Sequence, residues 1–200
     1  MNYLAIDTSS RHLTVIASKG GNTVTRYMPD CALRHSVTLM SEVEAALDGA
    51  GLTPAQCDFF CAVTGPGSFT GIRIGISAAK GFALGAGKPL MPLTAFDMVA
   101  YNVNNADDFC VAIDAAHGHF YCQRFLNGER GEPGYVSREA LIAYGLPVYG
   151  YEGLDLPLYT KIGAEKALQT AVEANLKQNS PFGEMNALYV RKSQAEEGRA

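Results

Sequence analysis

The chain has 200 residues, 48% of them hydrophobic and 18% charged, which fits one large or two small domains with a full core. Its net charge of −4, with no run of Lys or Arg, argues against autonomous nucleic-acid binding, which uses a basic surface. It contains no 18-residue apolar span and no signal-peptide pattern, so we expect a cytoplasmic protein with no membrane contact, and reduced cysteines.

The first half of the sequence predicts three strands in hairpins and then alternating helices and strands. The strands are expected at 2–7, 12–18 and 23–27, and later at 58–64 and 89–93; the helices are expected at 33–50, 72–86 and 95–101. Three hairpin strands followed by helix, strand, helix and strand is the order of a ribonuclease H-like domain.

The second half starts in the same way, after a polar segment at 102–108. Strands are expected at 109–114, 119–125 and 147–149, and helices at 137–144 and 164–177. The first strand of each half ends in an aspartate, Asp7 and Asp114. We therefore predict an α/β protein of the actin, Hsp70 and sugar-kinase architecture, with one subdomain at 1–102 and a second, reduced one at 103–200.

The stretch at 65–75, GPGSFTGIRIG, lies between a predicted buried strand and a predicted helix. A glycine loop that opens a helix presents free N–H groups, which suits an anion such as a phosphate. The alternative is an ordinary strand-to-helix turn, because the stretch matches neither a P-loop nor a Rossmann fingerprint. The residues that could face a nucleotide are Asp7, Thr8, Ser9, Gly65, Gly67 and Ser68.

The second helix is apolar nearly all round, which is typical of a helix buried on both sides. One side can pack on the sheet, and the chain offers no obvious cover for the other. We therefore predict a subunit interface on this helix and its neighbour; the alternative is a central helix covered by its own chain. The predicted interface residues are Leu33, Ser36, Leu39, Met40, Val43, Phe69, Ile72, Arg73, Ile76, Ala79, Lys80 and Ala83.

The glycine stretch resembles the signature of the bacterial TsaB (YeaZ-like) family. Several other segments of the chain also resemble this family: 4–9 (LAIDTS), His35-Ser36, 87–90 (GKPL), 113–115 (IDA) and 188–191 (LYVR). The resemblance is densest over 1–94, and the glycine motif is shared with the paralogous TsaD family.

This resemblance implies an actin-like fold and a cytoplasmic role in making N6-threonylcarbamoyladenosine at position 37 of ANN-decoding tRNAs. The chain would be a non-catalytic subunit that binds the TsaD-like catalytic subunit and helps to recruit the TsaE-like ATPase. It would contact tRNA only through the complex, and would form a homodimer when alone. It would carry no cofactor of its own, and any ATP or ADP with magnesium would bind at the interface of the complex.

The chain departs from the sister family at two places. At 94–99 it has no histidine where the TsaD family has two metal-binding histidines, so we predict no metal there. Asp114 is followed by two alanines, where the family often has an arginine two residues on.

Other polar residues allow competing interpretations. His117 and His119 could form a metal pair, although solvent-exposed turn histidines are favoured, and His35 could be a base but more simply caps or packs. Asp7 and Asp114 could hold a magnesium-bound nucleotide or could cap local N–H groups. Ser9 and Ser10 have no apparent His–Asp pair, so a hydrolase triad is not expected.

Two further functions compete with the scaffold. A stand-alone phosphotransferase or ATPase would need a deep cleft and a larger second half. A metallopeptidase would need bound zinc, which the few histidines disfavour.

Overall fold

Two β-sheets, one from each half of the chain, organise the computed structural model, which describes residues 1–104, 108–179 and 181–191. The first sheet has the order β3-β2-β1-β4-β5. β1, β2 and β3 form antiparallel hairpins, and β4 and β5 run parallel to β1. Its strands are β1 (Tyr3–Asp7), β2 (Leu13–Lys19), β3 (Asn22–Met28), β4 (Phe59–Val63) and β5 (Leu90–Leu93).

The second sheet repeats this order. Its path is β11-β10-β6-β7-β8, and β9 also pairs with β7, so β6, β7, β9, β10 and β11 correspond to β1 through β5. Its strands are β6 (Phe109–Asp114), β7 (His119–Leu126), β8 (Glu129–Arg130), β9 (Gly134–Ser137), β10 (Val148–Gly150) and β11 (Tyr159–Lys161). The predicted fold class, α/β with two ribonuclease H-like subdomains in an actin-like arrangement and a reduced second subdomain, is confirmed.

In the described part of the chain, five α-helices cover the sheets: α1 (His35–Ala50), α2 (Phe69–Ala86), α3 (Ala95–Ala100), α4 (Arg138–Ala143) and α5 (Ala164–Asn175). α1 and α2 end at Gly51 and Gly87, whose left-handed backbone suits glycine. Ser68 and Thr94 accept backbone hydrogen bonds at the starts of α2 and α3, as N-caps do.

Buried apolar side chains form a layered core. Leu4, Ile6 and Phe60 point to α1 and α2, whereas Ala5 and Cys61, on the opposite face of the same sheet, point to α3 and α5. Residues of β6 pack into this second layer, so both sheets share the α3–α5 layer. A further cluster joins the outer face of the second sheet to α4. The division at 102/103 stays a prediction, because the two halves share this layer.

The C-terminal segment, residues 181–191, crosses both halves. Its backbone N–H groups at Gly183 and Leu188 donate to the carbonyls of Leu90 and Thr64, and Met185 is buried in the core under α1 and α2. This segment therefore holds the edge of the first sheet and the start of α2 together. Within the residues described above, no helix has both the length and the apolar character needed to cross a membrane.

Candidate functional site

A cleft of about 560 Å³ opens where the first strands of the two sheets end. One wall comes from the turn after β1 and from the glycine loop before α2. The opposite wall comes from the end of β6 and from Glu152, and Arg191 of the C-terminal segment completes the lining. The polar residues of the two walls are Ser9, Ser10, Arg11, His35, Ser68, Asp114 and Glu152.

The glycine loop is pressed against the end of β1. The N–H group of Ser68 donates to the carbonyl of Ser9 at 2.7 Å, and the Ser68 hydroxyl accepts from the N–H group of Gly71 at 3.2 Å. A Cβ atom at Gly67 would overlap the Ser9 carbonyl, and one at Gly71 would overlap the Thr8 carbonyl. Close packing of α2 on β1 therefore accounts for these glycines, and it places the N-terminal end of α2 at the cleft.

Asp7 lies beneath the cleft wall, fully buried. Its Oδ1 atom accepts from the N–H and hydroxyl groups of Ser9, at 2.8 and 2.7 Å, and its Oδ2 atom lies 2.8 Å from Nε2 of His12. Burial opposes ionisation, but the hydrogen bond and charge of His12 and the bonds from Ser9 together lower the pKa of Asp7. Thr8 also points inward, donating to the carbonyl of Gly71 at 2.6 Å.

The six candidates for facing a nucleotide therefore divide into two groups. Ser9, Gly67 and Ser68 line the cleft, with Ser9 itself fully buried, whereas Asp7, Thr8 and Gly65 lie behind it. Whether any of them contacts a nucleotide stays a prediction.

Ser10 and His12 complete a connected chain of polar groups. The Ser10 hydroxyl lies 2.6 Å from Nδ1 of His12, whose Nε2 contacts Asp7. The expectation that no His–Asp pair stands near these serines is therefore wrong. The turn after β1 folds His12 back over Asp7, and the sequence signal is an Asp-x-x-Ser-x-His pattern directly after a buried strand.

The opposite wall carries two carboxyl groups. Glu152 Oε2 accepts from the N–H group of Asp114 at 2.9 Å, and Asp114 Oδ1 accepts from the N–H group of Ala116 at 2.9 Å. Burial raises the pKa of Glu152. Asp114 is exposed and caps its own turn, which is one of the two interpretations that the sequence allows.

The remaining histidine candidates have structural contacts. His119 stacks on Tyr135 with ring centroids 4.8 Å apart, and its Nδ1 atom lies 3.0 Å from the His117 carbonyl; His117 is exposed in the turn. His35 is buried, with Nε2 3.0 Å from the carbonyl of His12. Across 1–104, 108–179 and 181–191, no cluster of three or more His, Cys, Asp or Glu side chains is placed to hold a metal ion.

The predicted interface residues also fall into two groups. Leu33, Ser36, Met40, Arg73 and Lys80 are exposed, and Phe69 is half-buried. The others are buried in the core between the helices and the first sheet: Leu39, Val43, Ile72, Ile76, Ala79 and Ala83. These six side chains are covered by the chain itself, so only the exposed group is available to a partner. Sequence reasoning omitted Val37, which is 76% exposed on α1.

Comparison with known proteins places these features in a family. The family model described as TsaD, tRNA N6-adenosine threonylcarbamoyltransferase, matches residues 16–137. The chain is 33% identical to the tRNA threonylcarbamoyladenosine biosynthesis protein TsaB of Escherichia coli over 66% of its length and 58% of the relative's. It is 30% identical to the Bacillus subtilis protein of the same name, over 60% of this chain and 53% of that one. The matches thus span little more than half the length of these curated relatives.

Solved structures support the fold. The chain superimposes on YeaZ from Pseudomonas aeruginosa with a TM-score of 0.76 and 21% identity, covering 94% of this chain and 99% of that one. A second Pseudomonas aeruginosa structure, described as similar to peptidase YEAZ, gives a TM-score of 0.74 and 24% identity over 95% and 99% of the two chains. At these identities the likeness establishes the architecture alone.

Proposed function

Because the chain belongs to the family of the TsaD model and is a TsaB/YeaZ-like member of it, we propose that it acts in the biosynthesis of tRNA threonylcarbamoyladenosine. In this proposal it is a scaffold subunit that does not itself carry out threonylcarbamoyl transfer. It binds a TsaD-like catalytic subunit and helps to recruit a TsaE-like ATPase. Its acidic net charge supports contact with tRNA through partners rather than directly.

The observation that carries the proposal is an apolar patch at the start of α1, formed by Leu33, Val37 and Met40. These side chains are 101%, 76% and 55% exposed; Val37 and Met40 are three residues apart on α1, and Leu33 lies in the turn just before the helix. Large apolar side chains exposed together at the start of a helix are typical of protein interfaces. The neighbouring helix α2 adds Arg73 and Lys80, which can form the polar rim of such a contact.

The partner that fits this patch best is the TsaD-like paralogue. A family model for that protein matches this chain across β2 to β9, so the two proteins share the element that bears the patch. A homodimer through the same patch is the state expected when the paralogue is absent. Any ATP or ADP with magnesium is proposed to bind where Ser9, Gly67 and Ser68 line the cleft, next to the partner.

The test is to mix the purified chain with the TsaD-like protein of its own organism and to measure mass by light scattering. We expect a heterodimer, and we expect the chain to restore threonylcarbamoyladenosine in tRNA hydrolysates from a bacterium depleted of its own TsaB. A chain that forms no complex and restores no modified nucleoside would overturn the proposal.

A pair of exposed substitutions tests the patch itself. Val37→Asp places a charge in the patch without entering the core and should abolish the heterodimer. Leu158→Asp is the matched control, because Leu158 is 65% exposed in the second half, away from α1. A charge at Ile76 would not test the patch, because Ile76 is only 8% exposed. Ile76→Arg would disrupt the core whether or not a partner binds there. Equal loss of binding in the Val37 and Leu158 variants would exclude the patch as the interface.

A further inference from the structure

We propose that Cys110 and Cys122 form a redox-sensitive dithiol, which a hydroperoxide oxidises to a disulfide. The two residues lie on neighbouring strands of the second sheet, β6 and β7, in the cluster covered by α4. Neither residue lines the cleft. The inference goes beyond the scaffold role, because the oxidation involves this chain alone and requires no partner.

Strand register brings the two cysteines together. β6 and β7 are antiparallel, Cys110 is opposite Arg124, and Cys122 comes two residues before Arg124 on the same strand. Because residues two apart on a strand share a face, the two cysteines are diagonal neighbours on one side of the sheet. Both are free thiols, buried in the same cluster, and the Cys110 thiol donates a hydrogen bond to the sulfur of Cys122. Two sulfur atoms in such contact can form a disulfide with a small movement of the strands.

The surroundings of Cys122 favour its thiolate, which is the reactive form of a cysteine. The hydrogen bond from Cys110 lowers the pKa of the Cys122 thiol against the opposing effect of burial, and the Tyr144 hydroxyl and the charge of Arg124 lower it further. The guanidinium carbon of Arg124 lies 4.9 Å from the centroid of the Tyr144 ring, so the two groups are held together. The hydrogen bond that it donates and its burial raise the pKa of Cys110. Cys122 is therefore the attacking thiol, and Cys110 is the resolving thiol.

A small oxidant can approach Cys122 from the edge of the sheet. The neighbour of Cys122 on β9 is Gly134, and a Cβ atom at Gly134 would lie 3.6 Å from Sγ of Cys122. Because glycine has no side chain, only backbone lies beside the sulfur at this point. β9 has four residues, all half-buried, and short exposed elements open more readily than the core.

The proposed oxidation proceeds in two balanced steps. The Cys122 thiolate attacks one oxygen of the hydroperoxide, so a sulfur–oxygen bond forms, the oxygen–oxygen bond breaks, and an alkoxide leaves and takes up the proton that Cys122 released. The sulfur of Cys110 then attacks the sulfenic acid on Cys122, so the disulfide forms and hydroxide leaves with the Cys110 proton as water. In sum, two thiols and one hydroperoxide give a disulfide, an alcohol and water, and two electrons pass from sulfur to oxygen.

The first test uses the native chain and hydrogen peroxide. After exposure, the remaining thiols are blocked with iodoacetamide in guanidinium chloride, and the protein is digested with trypsin without reduction. No Lys or Arg lies between Cys110 and Cys122, so one tryptic peptide contains both. We expect this peptide to lose two hydrogens and to escape alkylation, and dithiothreitol added before blocking should restore both thiols. Full alkylation of both cysteines, or conversion of Cys122 to a sulfinic acid without a disulfide, would overturn the proposal.

Cys57 and Cys61 provide a matched control in the same digest. They also share one tryptic peptide, but Cys57 packs in the layer of α1 and α2, whereas Cys61 packs in the α3–α5 layer on the other side of the first sheet. Burial raises the pKa of both thiols, that of Cys57 to about 11. We expect both to remain alkylated under conditions that oxidise the Cys110–Cys122 pair. Equal oxidation of the two peptides would show that the reaction is not selective, and would overturn the proposal.

The second test separates the roles of the two cysteines. Cys122→Ser removes the attacking thiolate and should slow oxidation of the peptide by at least about 10-fold. Cys110→Ser leaves the Cys122 sulfenic acid without a resolving thiol, so the peptide should gain oxygen instead of losing two hydrogens. Cys31→Ser is the control, because this buried cysteine lies in a different cluster, and its protein should still form the disulfide. If Cys110→Ser and Cys31→Ser proteins with native circular dichroism give the same oxidised products, Cys110 does not resolve Cys122 and the proposal fails.

Discussion

Gly71 of α2 lies directly over the carbonyl oxygen of Thr8 at the end of β1. A Cβ atom at this position would overlap that oxygen, and the hydroxyl of Thr8 in turn donates to the carbonyl of Gly71 at 2.6 Å. The helix and the strand end are thus joined through backbone at a distance that only glycine permits. This contact sets the position of the whole glycine loop, and with it one wall of the cleft.

Gly71→Ala is therefore expected to destabilise the fold by about 2 kcal/mol, because the new Cβ atom would collide with a buried backbone carbonyl that cannot easily move. The control is Gly81→Ala in the same helix. A Cβ atom at Gly81 meets nothing within 4 Å, so alanine should stabilise by about 0.5–1 kcal/mol through helix propensity. Urea unfolding of both variants measures the difference. Equal stabilities would show that the α2–β1 contact relaxes freely.

The sequence predicted most of the architecture because its patterns are local. The apolar run of β4 followed by the glycines and Ser68 defines a strand, a cap and a helix without reference to the rest of the chain. The short strands β9 (Gly134–Ser137) and β11 (Tyr159–Lys161) were not predicted. They have three or four residues and no buried run, so only pairing with a neighbour defines them.

The sites were harder to predict because they depend on how neighbouring elements meet. Ile72 and Ile76 fit a partner-facing helix side by spacing alone, yet that side packs on the sheet. Gly71 and Gly75 have the Thr8 backbone and hydroxyl as their neighbours, a close approach that the helix pattern alone does not predict. The contact of Ser10 with His12 depends on the turn after β1, which no periodic pattern encodes.

The ionised state of Asp7 should make stability depend on pH. The pKa of Asp7 is lower in the folded state than its value of about 3.9 in the unfolded chain. The ionised carboxylate therefore contributes fully to the free energy of unfolding above about pH 3.9, and this contribution is lost as the pH falls through the pKa of the folded state. At pH 7, Asp7→Asn should cost about 1.5–3 kcal/mol, because it weakens charge-assisted hydrogen bonds to His12 and Ser9. Urea unfolding between about pH 7 and pH 2.5 should show the gap between the two proteins closing only below about pH 3.9. If the difference in stability between the two proteins stays constant over this range, Asp7 is not an ionised group with a lowered pKa in the folded state.

Asp97 and Arg130 join the two halves of the molecule. Asp97, at the start of α3, is largely buried and lies 2.5 Å from the guanidinium of Arg130 on β8. Its other oxygen accepts from the N–H and hydroxyl groups of Thr94. Arg130→Met should reduce stability by about 1 kcal/mol, because the arginine side chain is 44% exposed and solvent weakens the pair. Arg138→Met is the control, because it removes the more exposed ion pair with Asp155, and it should change the free energy of unfolding in urea much less. Equal effects of the two substitutions would show that the Asp97–Arg130 pair does not stabilise the contact between the halves.

Tyr189 is expected to fasten the C-terminal segment to α2. Its ring stacks on Phe69 with centroids 4.7 Å apart, and its hydroxyl accepts from Nε of Arg73 at 2.9 Å. Tyr189→Ala removes both contacts and should lower the free energy of unfolding by about 1–2 kcal/mol. Tyr189→Phe keeps the ring stack and should lower it less. The nearby N–H group of Leu188 donates to the carbonyl of Thr64 at 2.8 Å, so its hydrogen exchange should accelerate in the alanine variant before that of β4 does. If Leu188 and β4 accelerate equally, the segment unfolds only with the whole molecule, and Tyr189 has no local role in docking it.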